Sequence, residues 1–422
     1  MDTYRLNDLE ISIDKQGATR YTKASYPVRY GRFCEVKTPQ YLFQYNLNGE
    51  LKTIRGLNSD WPHPAEWLKR TDANDWVFYS VGRYHRLFSF LGEYYLPCFS
   101  YPSNSPWEYN PFGDFTIQKA LAAGSRLVAD LRPLITNGVP CGIKNFVGRI
   151  LRHHTNTLSL KTEKLHQIIG GPVSVLPPDT RHVDYEVIPL MIADGCLYHC
   201  DFCCVKSHRG FERRCGANIR QQIRRLKAFY GANLGNYNAL FLGNHDALAA
   251  GGDLIGMSAI EAYEAFDFAK SHIKNPALFL FGSADSLLKA GDKLFEALNW
   301  VPFYTYINIG LESADMTTLA QINKPIGLHK IKDAFQKMLD INRRYLNIEI
   351  TANFLLGGCL APDHYVALIE LIRSCLDRYY SKGAIYLSPL KSSHNRAALL
   401  RQFIEIKAKS RLPTYLYLIQ RL

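Results

Sequence analysis

Apolar and polar positions change their rhythm near residue 180. Before it, short alternating runs prevail. The stretch Tyr41-Leu42-Phe43-Gln44-Tyr45-Asn46-Leu47-Asn48-Gly49-Glu50-Leu51-Lys52 alternates around Asn48-Gly49, a dipeptide suited to a tight hairpin turn. Trp76–Tyr79 and Glu93–Leu96 read as further strands or buried segments, and Ile117 to Leu134 and Lys144 to His154 carry helical spacing. Together they predict an aromatic-rich α+β domain over residues 1–180. From residue 181, apolar runs of strand length recur at Val187–Ile192, Ala239–Leu242, Leu278–Phe281, Tyr304–Ile309, Ile348–Leu356 and Ala384–Leu387. Helical stretches lie between them: Asn218–Phe229, a helix opening on the capping-box pattern Ser258-Ala259-Ile260-Glu261, Thr317–Gln321 and Tyr365–Tyr379. Six strands alternating with helices predict an α/β body with a parallel sheet over residues 181–390, its functional residues at the carboxyl ends of the strands.

Composition narrows the class. The 422 residues are 47% hydrophobic and 21% charged, and no apolar run reaches the ~20 residues of a membrane span. The opening Met1-Asp2-Thr3-Tyr4-Arg5 lacks the features of a signal peptide, and ten cysteines in so long a chain are too sparse for a disulfide scaffold. A soluble, cytoplasmic protein is expected. The first 116 residues hold 24 of the 53 aromatics and four of the five tryptophans, which assigns most of them to a core.

The net charge of +12 is localised. Residues 206–227 carry eight Lys/Arg against Glu212, and residues 391–422, a basic C-terminal helical extension, carry seven against Glu405. Two readings stand for each: a solvated helix face, or a rim attracting an anionic substrate, a nucleic acid or an acidic electron donor.

The first strand of the α/β part runs into Asp194-Gly195-Cys196-Leu197-Tyr198-His199-Cys200-Asp201-Phe202-Cys203-Cys204, four cysteines within nine residues. The spacing Cys196-x-x-x-Cys200-x-x-Cys203 wraps three thiolates around one metal centre. Three ligands on a 4Fe–4S cluster leave one iron open for a substrate or cofactor. A zinc site using His199, His208 or Cys204 as a fourth ligand would want a second cysteine knuckle, which the chain lacks. Cys204 is expected not to be a ligand.

These residues resemble the signature of the radical S-adenosylmethionine (radical SAM) superfamily, with Phe202 as its aromatic before the last cysteine; the resemblance covers about residues 181–390. It implies a partial (β/α)6 TIM-like barrel, a 4Fe–4S cluster on Cys196, Cys200 and Cys203, and S-adenosylmethionine as cofactor. Asn244 or Asp246, after the second strand, stands where the family often has Gly-Gly-Glu against the methionine amino group. Ser283 and Asp285, after the third, stand where ribose is contacted. Gly310-Leu311-Glu312-Ser313 resembles the Gly-Leu-Glu-Ser segment of the Elongator, coproporphyrinogen-type and cobalamin-linked branch, making Glu312 and Ser313 cofactor contacts. Arg214 or a neighbour among Lys206, Arg209 and Arg213 is expected on the methionine carboxylate, and Lys324 is read as a helix C-terminal cap.

The implied reaction is reductive cleavage of S-adenosylmethionine, fed by a flavodoxin- or ferredoxin-type electron donor. The 5′-deoxyadenosyl radical so formed abstracts hydrogen from a substrate, expected to be a small molecule, lipid or peptide. The alternatives are modification of tRNA or another nucleic acid, corrin-dependent methyl transfer, and a metal-binding scaffold. The first 180 residues lack the Asp-x-His-x-x-Gly loop of a cobalamin domain and contain no recognised RNA-binding module. They are expected to lie across the open side of the barrel as a lid, with Trp61, Trp76 and Trp107 near the interface.

Overall fold

A computed structural model describes residues 1–20, 30–82, 95–101, 104, 106, 109–135, 139–183, 186–203, 205, 210–391 and 395–422. The expected Cys204, Lys206, His208, Arg209 and Trp107, and Glu93 and Tyr94 of one strand, lie outside them.

The first part of the chain is an antiparallel meander of eight strands paired in sequence order: β1 (Asp2–Leu6), β2 (Leu9–Gln16), β3 (Arg32–Lys37), β4 (Tyr41–Tyr45), β5 (Leu51–Gly56), β6 (Trp67–Arg70), β7 (Trp76–Ser80) and β8 (Leu96–Phe99). Its register aligns Ile11, Val36, Phe43, Ile54, Leu68, Phe78 and Cys98 in one cross-strand row. That row packs on Ile117, Ala120, Leu127 and Phe146 of the helices Phe115–Leu131 and Cys141–Leu151. Because strand side chains alternate faces, Trp67, Val77 and Tyr79 point the other way and join the larger core of the second part. Both faces are therefore covered, which is why this sheet consumes so many aromatics. Trp61 and Trp76 belong to the layer between the meander and its own helices, correcting their expected place near the interface with the barrel.

The second sheet has seven parallel strands in sequence order: β9 (Ile188–Pro189), β12 (Ala239–Phe241), β13 (Ala277–Ser283), β14 (Tyr304–Glu312), β15 (Ile348–Leu356), β16 (Ile385–Pro389) and β17 (Thr414–Leu416). The seventh strand corrects the expected six. It comes from the basic extension, whose helix Arg396–Lys409 leads into it. Strand β15 is buried at every position, as parallel strands covered on both faces must be. The two sheet edges are joined by the segment preceding β9: Leu176 N donates to Gln420 O (2.8 Å), Leu422 N to Val173 O (3.2 Å) and Tyr417 Oη to Leu176 O (2.7 Å). Further along it, buried Asp179 accepts hydrogen bonds from Thr351 Oγ1 (3.1 Å) and Tyr386 Oη (2.9 Å).

The meander meets this sheet where the parallel strands begin. Lys69 and Lys52 pair with Glu186 at 3.1 and 3.8 Å, Tyr237 Oη donates to Asp72 (2.9 Å), and the Asn236 amide bonds both Arg32 N and Arg32 O at 2.7 Å. Glu186, Asn236 and Tyr237 all precede strands, so these contacts lie at the end opposite the cysteine loop.

Candidate functional site

The cysteine loop is tied at its base. Its entry, β10 (Ala193–Asp194), pairs antiparallel with its exit, β11 (Glu212–Arg213). Arg214 clamps the same point, donating through Nε (2.7 Å) and Nη2 (2.6 Å) to both oxygens of Asp194 and through Nη1 to Ile169 O (2.7 Å). A guanidinium committed to three acceptors is a structural brace, so the expected role of Arg214 on the methionine carboxylate is corrected. Deeper in the loop, Asp201 N donates to Ile322 O (3.0 Å), fastening it to the turn after the Met316–Gln321 helix.

Inside this loop lies a cavity of about 180 Å³ at the carboxyl ends of the parallel strands. Cys196, Cys200 and Cys203 line it, with Phe202, Asn244, Asp246, Ser283 and Glu312 of the expected set. Burial raises the Cys196 thiol and pushes Cys200 up to about 11, against the pull of Lys324. Such thiols ionise readily only when a metal takes the proton's place, which fits the chemistry of a metal-held thiolate set. Among the described residues, no three His, Cys, Asp or Glu side chains converge closely enough to hold a single metal ion.

Asp246 is 3% exposed; its Oδ1 accepts from Ser283 N (3.2 Å), while its Oδ2 is buried without a partner. Burial raises its pKa against the bonds from Ser283 and Ser286. An orphan carboxylate oxygen costs about 1–3 kcal/mol or more, so the position is arranged for a donor that arrives with a ligand. Asn244 donates Nδ2 to Pro172 O (3.0 Å) and likewise leaves Oδ1 buried and unpartnered. Ser283 caps the Ala284–Lys289 helix in a reciprocal box with Ser286, which holds its backbone N–H toward Asp246.

Two expected contacts face elsewhere. Ser313 is fully buried; its Oγ lies 2.8 Å from His364 Nδ1 and accepts from Asp315 N (3.0 Å). Asp285 accepts from Lys330 Nζ (2.8 Å) and from the Tyr198 hydroxyl. Neither lines the cavity; each steadies an element that does. Lys324, read from the sequence as a helix cap, is instead a buried cavity residue: Nζ donates to Gly310 O (2.8 Å), sits 3.7 Å from Glu312 Oε1 and lies 5.2 Å from the centre of the Tyr198 ring. No local sequence signal marks it, because its partners arrive from β14 and from the cysteine loop. The far wall, Asn353, Ser388, Tyr417 and Ile419 from β15–β17 and beyond, likewise carried no motif.

No family model matches the chain. No curated protein matches it either. The solved structures similar to it are of radical SAM enzymes. They include Streptococcus suis SuiB bound to the precursor peptide SuiA, at 10% identity and a TM-score of 0.38, covering 71% of this chain and 62% of that one. A radical SAM methyltransferase from Sphaerobacter thermophilus is 14% identical with a TM-score of 0.34, covering 55% and 65%. The cobalamin-dependent S-adenosylmethionine radical enzyme OxsB is 13% identical with a TM-score of 0.33, covering 46% of this chain; the chain spans only 27% of OxsB. Likenesses this distant carry no functional argument. Among the described residues, no helix is long and apolar enough to cross a membrane.

Proposed function

We propose that the chain is a radical SAM enzyme whose partial barrel holds a 4Fe–4S cluster on Cys196, Cys200 and Cys203. The observation that supports this reading is the convergence of those three thiols and the orphan oxygen of Asp246 on one cavity. When bound, such a cluster supplies one-electron reductive cleavage of S-adenosylmethionine, the electron coming from a flavodoxin- or ferredoxin-type donor. The chain's own residues do the rest. Asp246 accepts from the methionine ammonium, Phe202 and Phe281 keep water from the thiols, and the bonds at Asp194 and Asp201 fix the loop. Asn353, Ser388 and Tyr417 of the far wall would hold the substrate beside that cofactor.

In this reading residues 181–390 form the catalytic body, and residues 391–422 complete its sheet. Residues 1–180 pack at the opposite end through the meander and also reach the cavity side, where Val175 lines the cavity and Asn104 donates to Pro389 O (3.1 Å) and accepts from Ile419 N (2.9 Å) beside its far wall. The test is anaerobic reconstitution with iron and sulfide, then incubation with S-adenosylmethionine and dithionite. The expected product is 5′-deoxyadenosine; its absence from protein carrying a full cluster overturns the reading.

A further inference from the structure

Among the described residues lining the cavity, the acidic and cationic side chains besides the thiols are Asp246, Glu312 and Lys324. Two of them form a pair with an unusual setting. The Lys324 and Glu312 side chains are 4% and 10% exposed, with Nζ and Oε1 3.7 Å apart. Burying such a pair costs several kcal/mol per ion, and an apolar pair of similar size is often no less stable. The backbone is also bent to make it. Glu312 has φ of 69°, a left-handed conformation that is strained outside glycine, at a point where the β14–β15 register shifts. Gly310 leaves the carboxylate its place: a Cβ there would stand 2.5 Å from Glu312 Oε1 and push that oxygen aside. The pair is held against the cysteine loop twice, by Lys324 over the Tyr198 ring, between Cys196 and Cys200, and by Asp201 N on Ile322 O.

We propose that Lys324 and Glu312 act as a buried charge couple that sets the reduction potential of the cluster, Lys324 raising it and Glu312 lowering it. The inference rests on the radical SAM reading. Reduction adds one electron from an external one-electron donor with no bond made or broken, so the reduced state is one unit more negative. A nearby ammonium favours that state and a nearby carboxylate opposes it, strongly so in a site shielded from water. Both are positioning residues in this role.

The test is a spectroelectrochemical redox titration of the reconstituted full chain without S-adenosylmethionine, at one fixed pH for every variant. Lys324→Met is expected to move the midpoint to more negative potential and Glu312→Gln to more positive potential, with Lys324→Arg close to wild type. Opposite shifts are what a purely structural role cannot produce. Unchanged midpoints, or shifts of the same sign, overturn the proposal. If Lys324→Met takes up no iron, Glu312→Gln decides alone: a positive shift supports the couple and no shift overturns it. Wild-type protein that forms no cluster overturns the radical SAM reading itself, whereas a wild-type cluster with indifferent variants overturns only this inference.

Discussion

Gly310 is the residue on which the acidic corner of the site depends. Gly310→Ala sets a methyl 2.5 Å from Glu312 Oε1, so the buried carboxylate must shift from its place beside Lys324. The expected loss is about 1–3 kcal/mol of unfolding free energy, measured by urea denaturation of the apoprotein. Ser313 and His364 give a pH signature. His364 Nε2 lies 3.0 Å from Leu355 O, and burial lowers its pKa below the ordinary 6.5. A base held neutral by the fold contributes stability that is present above its unfolded pKa and lost as pH falls below it. Unfolding free energy is therefore expected to drop between about pH 7.5 and about pH 5.5, with His364→Gln flattening that slope. At the cysteines, Ala at Cys196, Cys200 or Cys203 is expected to abolish iron–sulfur absorption, whereas Cys204→Ala keeps it. Equal loss at Cys204 would reassign the ligand set. These three cysteines, Asp246 and Glu312 were legible in the sequence because each falls at the end of a strand or in the loop that follows it, where chain order and spatial order coincide. Lys324 was not, because its meaning arises only when β14 and the cysteine loop meet around it.

The cysteine loop as an element owes its shape to a two-residue ribbon and one bidentate salt bridge, β10–β11 and Asp194–Arg214. Arg214→Gln is expected to raise amide hydrogen exchange across residues 195–203 and to slow cluster reconstitution, while the parallel strands keep their protection. Unchanged exchange in the loop would show that the ribbon alone suffices. Strand elements were easy to read: Ile348–Leu356 has the expected bounds, and the Asn48-Gly49 turn joins β4 and β5. Helix starts were harder. The capping-box pattern at Ser258 falls inside the Gly252–Ala265 helix, where Ser258 Oγ donates back to Leu254 O, because the helix begins at Gly252. A Ser-x-x-Glu pattern occurs as readily within a helix as before one, and only the preceding turn decides. The strand Thr414–Leu416 was missed because three residues carry no measurable period; its pairing with β16 creates it.

For the molecule as a whole, the joint between the two sheets governs acid behaviour. Burial would raise the carboxylates of Glu50 and Asp72, but Lys161 and Arg70 beside the first and Lys52 beside the second hold them below their ordinary 4.5 and 3.8. Their contribution is present at neutral pH and lost as pH falls through the lowered values. Glu66, Asp246 and Glu312, raised by burial, change in the opposite sense and oppose part of that loss. Lys161→Met should therefore cost roughly 3–5 kcal/mol at neutral pH and move the acid-unfolding midpoint upward, read by circular dichroism. The aromatic excess of the first 116 residues foretold a well-filled first sheet, but its place was not legible: side chains such as Lys69 and Glu186 find each other only after both sheets exist. The joining of residues 173–176 to 420–422 has a consequence for biosynthesis. Cys203 emerges 217 residues ahead of Gln420, so throughout that interval of translation the cysteine loop exists beside a wall that has not been made. At typical elongation rates of about 5–20 residues per second, that interval lasts roughly 10–40 seconds. During it a nascent chain leaves these thiols more open to solvent and oxygen than the finished protein does.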